Sequence, residues 1–228
     1  MNKNTAEIIL REEILVPTKN VKLLGITIDE YLNFNDHITK ICKSAAKQLN
    51  VLKRLSKFVN METRMVINKT FIMSYFNYRA VVSHFCGKVN SDKLQNMKVR
   101  ALRYVFNDYV SSSDVLLRKA GSDILLIYRL RQVAIEVFKC INKISPPYLY
   151  NLFEKKDIMY NLKDSNRLMQ PEFNTYMYGY RSLRYIGSKV FNNLSNEFKQ
   201  NINLKQFKEL IRTWSGLNCK CNYCCKMY

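Results

Sequence analysis

The stretch VKLLGITIDEYLNFNDHITKICKSAAKQL, residues 21–49, decides the fold of this chain. It joins an apolar, β-branched segment, Val21–Ile28, to a longer segment in which apolar residues recur at helical spacing. The first segment predicts one strand with Gly25 inside it, a position typical of a bulge or of close approach by another backbone or a ligand. The second predicts a helix with Asn35 as its N-cap and with Asp36 placed favourably in the first turn.

This predicted helix has one apolar and one basic face. At about 100° per residue, the apolar residues that fall together are Ile38, Ile41, Cys42, Ala45, Leu49 and Leu52. The basic residues that fall on the opposite face are Lys40, Lys43, Lys47 and Arg54. The pattern indicates a helix that packs into a core on one side and offers a row of cations on the other.

The composition favours a mainly α fold. With 47% hydrophobic residues, the 228-residue chain can bury one sizeable core, and only 6 Gly and 4 Pro favour long regular elements. We expect a helical bundle with a small N-terminal β edge, formed by Glu7–Leu10, Ile14–Val16 and Val21–Ile28. We also expect a short late β-hairpin, with Phe173–Tyr178 and Ser182–Ile186 as its strands.

Four segments follow from these patterns. Residues 1–30 form the β edge, 31–156 the helical bundle, 157–214 a C-terminal subdomain with the hairpin and short helices, and 215–228 a cysteine-rich tail. Within the bundle, Ser91–Asn107 predicts a further helix with a second basic face. Its cations on that face are Lys93, Arg100 and Arg103.

The charge balance points to a polyanionic partner. Lys and Arg number 37 against 18 Asp and Glu, a formal charge of +19, which favours nucleic acid or an anionic membrane surface. A lysine-rich surface that only keeps the protein in solution is the alternative. No signal peptide and no apolar run near the ~20 residues of a membrane span occur in the sequence. We therefore expect an intracellular protein, nuclear or cytoplasmic, without a membrane partner.

Tyrosines alternate with bases in YMYGYRSLRY, residues 176–185. Stacking of bases on these rings beside Arg181 and Arg184 would suit single-stranded nucleic acid. Packing of the same rings as one face of the hairpin against the bundle explains the pattern equally well. The two histidines, His37 and His84, lie among apolar residues and are interpreted as hydrogen-bonded core residues.

Four of the seven cysteines crowd into the tail. Cys219, Cys221, Cys224 and Cys225 have the C-x-C and C-x-x-C spacings of zinc ligands, and the lysines beside them favour thiolates. A reactive, exposed tail without metal is the alternative. The three other cysteines stand singly in apolar helical segments and predict buried thiols, which is unlike a secreted disulfide framework.

Four segments carry a resemblance to a known family: VKLLGITIDEYLNFNDHI, NMKVRALRYVFNDY, YGYRSLRYIGSKVFNNLSNEFK and WSGLNCKCNYCCK. In this order they resemble the region that follows the palm in reverse transcriptases of jockey-like non-LTR retrotransposons, over nearly the whole chain from Val21. The resemblance implies a thumb-like bundle, a β edge that trails from a palm, and three tail cysteines shared with the family, Cys219, Cys221 and Cys224. Cys225 departs from that pattern. Met1 would then fall inside a domain, as expected for a truncated or fragmentary reading frame.

The resemblance implies a polymerase fragment without its chemistry. Such enzymes hold two metal ions on an aromatic-x-Asp-Asp turn, and the sequence contains no Asp-Asp pair. The nearest segment, Phe106-Asn107-Asp108-Tyr109, lacks the second acid. We expect a catalytically inert chain with no magnesium site.

The expected role is contact with phosphates of RNA or an RNA–DNA hybrid, irrespective of base sequence, through the basic helix faces. The missing palm, or a second copy joined through the N-terminal strands, is the expected protein partner. The alternatives are a structural or protein-interaction module, a basic protein that adheres to anionic membranes, and a non-functional retroelement relic.

Overall fold

Short antiparallel strands precede a series of packed helices. The computed structural model describes residues 8–10, 13–15, 18–155, 167–199 and 202–216. The strands are β1 Ile8–Leu10, β2 Glu13–Leu15, β3 Asn20–Leu23 and β4 Ile26–Asp29. The helices are α1 Asn35–Leu55, α2 Met61–Ile67, α3 Met73–Asn77, α4 Ala80–His84, α5 Lys88–Phe106, α6 Ser113–Lys119, α7 Leu125–Ile141, α8 Leu183–Asn192, α9 Asn196–Lys199 and α10 Leu204–Leu210. The mainly α fold with an N-terminal β edge is thereby confirmed.

The single strand predicted over Val21–Ile28 is wrong, because the chain reverses inside it. β3 and β4 pair antiparallel with Val21 opposite Ile28. The turn residues Leu24 and Gly25 both have positive φ, 47° and 82°. Positive φ at both central residues matches the right-handed twist of a two-residue hairpin, and this is the conformation that glycine permits at low cost. Gly25 therefore turns the chain and does not mark a bulge.

The start of α1 is held by an aspartate outside the helix. The Asp29 carboxylate accepts hydrogen bonds from the backbone N–H groups of Asn33 (3.1 Å) and Phe34 (2.7 Å). Phe34 takes the N-cap position in the left-handed conformation, so the prediction of Asn35 as N-cap is wrong. Asn35 is the first helical residue, and its Oδ1 accepts a 2.6 Å hydrogen bond from Asn90 of α5. Asp36 lies in the first turn as predicted.

Two apolar clusters make up most of the core. The first contains the apolar face of α1 packed on α5 and on a π-helical turn, Asn68–Ile72, that links α2 to α3. Its fully buried members include Ile38, Ala45, Leu52, Ile72, Ala101 and Val105. The second surrounds α7 and includes α8 and α10, with the Phe138 and Phe207 rings stacked at 4.2 Å. The predicted apolar face of α1 is confirmed, with Cys42 half-buried.

The late β-hairpin is wrong. Residues Tyr176–Tyr180 form a π-helical turn, and the second predicted strand is the start of α8. Ser182 caps that helix by accepting a hydrogen bond from the backbone N–H of Tyr185. Ile186 and Val190 of α8 are both buried in the cluster around α7. Their spacing of four residues suits a helix, and burial of this face against α7 outweighs the strand preference of the tyrosines.

A buried arginine ties three helices together. Arg129 of α7 is 2% exposed and donates hydrogen bonds to the backbone oxygen of Ser83 (2.9 Å), to Oγ of Ser91 (2.5 Å) and to the backbone oxygen of Leu125 (3.3 Å). Ser83 belongs to α4 and Ser91 to α5. Because a buried guanidinium must satisfy its donors, this residue fixes how α7 meets the first half of the bundle.

Candidate nucleic-acid interface

The basic face of α1 is exposed as the sequence predicts. Lys40, Lys43, Lys47 and Arg54 are all solvent-exposed, opposite the face that packs into the first cluster. Lys40 is also anchored, because its Nζ donates a 2.9 Å hydrogen bond to Oγ1 of the buried Thr27 in β4. The face therefore begins at the β edge and runs along the helix.

No acidic side chain neutralises this face within the described residues. The salt bridges found there join Lys119 to Asp108, Arg131 to Asp123, Lys139 to Glu136 and Arg184 to Glu154. None of them includes a residue of α1. A row of solvated cations on one rigid helix, without internal counter-charges, is suited to contact successive phosphates of a polyanion.

The second predicted basic face, on α5, is less uniform. Lys93 and Arg100 are exposed, whereas Arg103 is half-buried. One terminal nitrogen of Arg103 is buried without a hydrogen-bond partner in the described residues. Lys93 lies close to α1, where its charge opposes the rise that burial causes in the pKa of Cys42. Lys93 and Arg100 are thus available to a phosphate, and Arg103 is only partly so.

The two late arginines have internal partners. Arg181 is half-buried and donates a hydrogen bond to the backbone oxygen of Phe85. Arg184 is exposed and lies 3.2 Å from a carboxylate oxygen of Glu154. Arg181 serves to hold the π-helical turn Tyr176–Tyr180 against the end of α4, and the Arg184 charge is already paired at the surface.

Several of the aromatic side chains on either side of these arginines pack on each other. Tyr180 is fully buried, stacked on Tyr176 at 5.1 Å and tilted against Tyr185 at 5.0 Å. Phe173 meets Tyr180 edge-on at 5.5 Å. Ring faces used in this way are closed to a stacking base, while Tyr178 is 58% exposed. Tyr180 and Tyr185 pack inward, as one of the two interpretations held, although within helical turns and not on a hairpin, whereas Tyr176 and Tyr178 are exposed.

A cavity of about 410 Å³ that the sequence did not reveal adjoins Lys40. It lies between the tip of the β3–β4 hairpin, α1 and α3, and is lined by Gly25, His37, Lys40, Ile41, Ser44, Ser74, Tyr75 and Tyr78. Serine hydroxyls, an ammonium and two tyrosine rings at one opening suit a phosphate or a nucleotide. No sequence motif marks it, because its walls come from segments 50 residues apart.

The histidines are buried but lack the hydrogen bonds that were predicted. His37 is 4% and His84 is 7% exposed. In the described part of the chain, Nε2 of His37 and both ring nitrogens of His84 have no hydrogen-bond partner. Burial, with Lys40 nearby, lowers the pKa of His37. Burial, with Arg129 and Arg181 nearby, lowers the pKa of His84 to about 3. Both rings are therefore neutral at pH 7.

The segment nearest to a catalytic turn has a structural role. Asn107 ends α5 in the left-handed conformation, and the Asp108 carboxylate follows it. That carboxylate accepts hydrogen bonds from Lys119 Nζ (2.7 Å) and from the backbone N–H of Ser111 (3.0 Å). These bonds hold the pKa of Asp108 well below its usual range. Asp108 thus ties the α5–α6 connection.

The four tail cysteines predicted to bind zinc lie outside the described residues. Within the described residues, no group of three or more His, Cys, Asp or Glu side chains is placed to hold a metal ion. Cys86 and Cys140 are buried thiols, as predicted, and Cys42 is half-buried.

Comparisons of the chain with protein families, with curated proteins and with solved structures gave no match. A search of the described helices for a membrane span found none of sufficient length and apolarity.

Proposed function

We propose that this chain binds the sugar–phosphate backbone of RNA or of an RNA–DNA hybrid through the basic face of α1, as the thumb-like part of a reverse transcriptase. The observation that carries the proposal is the row Lys40, Lys43, Lys47 and Arg54, which is exposed and has no acidic partner among the residues that the structure describes. The opposite face of α1 is fixed in the core, so the backbone positions that carry these side chains keep a constant spacing. The chain acts by holding a substrate and performs no chemistry of its own.

The experiment measures binding of a fluorescent RNA–DNA hybrid as salt is varied. Each phosphate contact releases condensed counterions, so log affinity falls linearly with log salt, with a slope of about −0.9 per contact on a duplex. Substitution of Lys43 and Lys47 by Gln removes two solvated charges without touching the core. We expect the slope to become shallower by about 1 to 2 and folding to be unchanged.

A matched control removes two charges from another helix. Lys205 and Lys208 of α10 are also exposed and three residues apart. Their replacement by Gln lowers the net charge equally, so a specific role for α1 requires a smaller change of slope in this variant. An equal change of the salt slope in the Lys43/Lys47 and Lys205/Lys208 variants would mean that α1 is only one part of a general positive surface. Unchanged affinity and slope in the Lys43/Lys47 variant would refute the proposal.

A second candidate function, a protein-interaction module, rests on the β edge. Val21, Leu23 and Leu24 of the β3–β4 hairpin are 53%, 57% and 67% exposed, and Tyr31 and Leu32 beyond it are also exposed. Exposed apolar side chains beside an unpaired strand edge favour addition of a further strand from a partner. The partner would be a palm-like sheet or a second copy of this chain.

The oligomeric state distinguishes these partners. Self-association through the hairpin predicts a sedimentation coefficient that rises with concentration in the micromolar range. Leu23→Lys should abolish the rise. Val110→Lys is the control and should not abolish it, because Val110 is 97% exposed and lies outside the hairpin. If the chain is monomeric at all concentrations, a second copy is not the partner, and the palm-like sheet is the one to test.

A further inference from the structure

A second cavity, of about 360 Å³, lies in the first half of the bundle. Its walls come from α2, the π-helical turn Asn68–Ile72, α3, α5 and the segment after α6. The lining residues are Met65, Asn68, Lys69, Met73, Asn77, Lys98, Leu102, Ala120 and Ser122. Lys98, Asn68 and Leu102 are almost completely buried, whereas Lys69 and Asn77 are exposed. The cavity therefore runs from an open, polar mouth to a buried base.

An ammonium group lies at this base without a salt bridge to any of the described residues. Lys98 is 4% exposed and donates a hydrogen bond to the backbone oxygen of Asp123. The Asp123 carboxylate is paired with Arg131 at 2.5 Å, and no salt bridge to Lys98 exists among the described residues. Burial lowers the pKa of Lys98 to about 8, and the nearby Asp123 carboxylate opposes this shift only in part. Such a charge is costly unless it is paired.

Two further polar atoms of the lining have no partner. Oδ1 of Asn68 and Oγ of Ser122 are buried without a hydrogen bond in the described part of the chain. Burial of a polar atom without a hydrogen bond is destabilising, and a ligand that accepts a hydrogen bond would satisfy the Ser122 hydroxyl. Asn68 is the first residue of the π-helical turn, a helix distortion that is frequent at functional sites.

We propose that this cavity binds a small organic carboxylate with a short apolar body, held by its carboxylate on the ammonium of Lys98. A single negative charge balances the ammonium at the base of this cavity, and the two oxygens of the carboxylate can also accept from the Ser122 hydroxyl. The apolar body lies against Met65, Met73 and Leu102, where methionine side chains adapt to varied shapes. The cavity volume is at the lower end of the range for small-molecule pockets. The proposal uses no residue of the basic face of α1 and is independent of the proposed function.

Isothermal titration with hexanoate, and with hexanol as its uncharged counterpart, tests the proposal on the full chain. We expect hexanoate to bind at least tenfold more tightly than hexanol. Lys98→Met keeps the unbranched shape and removes the charge, so hexanoate should lose this advantage. Lys69→Met, a charge removal at the mouth, is the matched control and should retain most of it. Equal binding of the two ligands by the unaltered chain, or full hexanoate affinity in Lys98→Met, would overturn the proposal.

The pH dependence of the unaltered chain is a second measurement that requires no variant. The charged groups around the cavity are Lys98, Lys69 at the mouth, and the Asp123–Arg131 pair behind the ammonium. Because only the protonated ammonium attracts the carboxylate, hexanoate affinity should be level up to about pH 8 and then fall by up to tenfold per pH unit. Hexanol affinity should not change over this range. A hexanoate affinity that is level from pH 7 to 9.5 would also overturn the proposal.

Discussion

The phenolic hydroxyl of Tyr78 donates a 2.8 Å hydrogen bond to the backbone oxygen of Leu24, 54 residues earlier in the chain. Leu24 lies in the turn of the β3–β4 hairpin, and Tyr78 directly follows α3. Ile26 and Thr27 are the buried residues of this hairpin, so its tip has little apolar anchorage. The Tyr78 hydroxyl therefore helps to hold the β edge, and one wall of the cavity beside Lys40, on the helices.

Tyr78→Phe should loosen the hairpin selectively. The hydrogen bond is partly exposed, so its loss should lower the global free energy of unfolding by about 1 kcal/mol or less. Amide hydrogen exchange within β3 and β4 should accelerate, while exchange in α1 and α5 stays unchanged. Tyr148→Phe, at a tyrosine that is 82% exposed, is the control. Equal exchange in the Tyr78 variant and the unaltered chain would contradict this role.

The buried histidines predict a loss of stability in mild acid. The pKa of His84 is near 3 in the folded chain and near 6.5 in the unfolded chain, so below pH 6.5 the unfolded state binds the extra proton. The free energy of unfolding should fall by up to about 1.4 kcal/mol per pH unit as the pH drops from 6.5 toward 4. The lowered pKa of His37 acts in the same direction.

His84→Leu isolates this effect in chemical denaturation at pH 7 and pH 5. The variant should lose less stability between these two pH values than the unaltered chain. The loss that remains should come from protonation of His37. Asp108 does not interfere, because its lowered pKa makes its contribution disappear only below about pH 4. An equally steep decline in the variant would show that His84 is not the group being protonated.

Gly187→Ala should destabilise the second core even though alanine is the better helix former. A Cβ at position 187 would lie 2.8 Å from the Phe153 ring and from Cγ2 of Val137. Overpacking of this kind costs about 1–3 kcal/mol, against a gain of up to about 1 kcal/mol in helix propensity. Thermal unfolding should show a net loss. In a Val137→Ala background the loss should be smaller, and an identical loss there would contradict the packing explanation.

The four tail cysteines are predicted to bind one zinc ion. Metal analysis after purification without chelator should show about one zinc ion per chain, since four thiolates complete a tetrahedral site. Cys221→Ser should lose the metal, while Cys42→Ser, at a half-buried thiol of α1, should keep it. A metal-free chain whose tail thiols are rapidly alkylated would favour the reactive tail instead.

The long helices could be predicted because their periodicity extends over many residues. Four consecutive turns of α1 repeat the same apolar face, and the opposite face follows from it, so the exposure of Lys43 and Lys47 was accessible from the sequence. Short segments do not have enough repeats for periodicity to assign them. Val21–Ile28 has the composition of one strand, and only the paired positive φ of Leu24 and Gly25 makes it two. Residues 173–186 favour strands locally, but their burial against α7 is a long-range effect.

The polar interior was not predictable, because it depends on which distant residues meet. Lys98 occupies a position in α5 that the helical repeat places beside the apolar residues Leu94 and Ala101, and the sequence does not show that its charged side chain is buried there. The same holds for Arg129, whose hydrogen-bond partners lie up to 46 residues away. The cavities beside Lys40 and Lys98 are lined by residues that are distant in the sequence, so no local motif predicts them.

Because α7 contributes residues to both apolar clusters, the order of synthesis on the ribosome affects when each cluster can form. The first cluster draws its buried members from residues 38–125, whereas the second begins at Leu130 and needs residues as far as Trp214. At roughly 5–20 residues per second, the first core can close several seconds before the second is complete. During that interval the apolar side of α7 is uncovered. A nascent chain paused there would present this apolar surface to chaperones and to other chains.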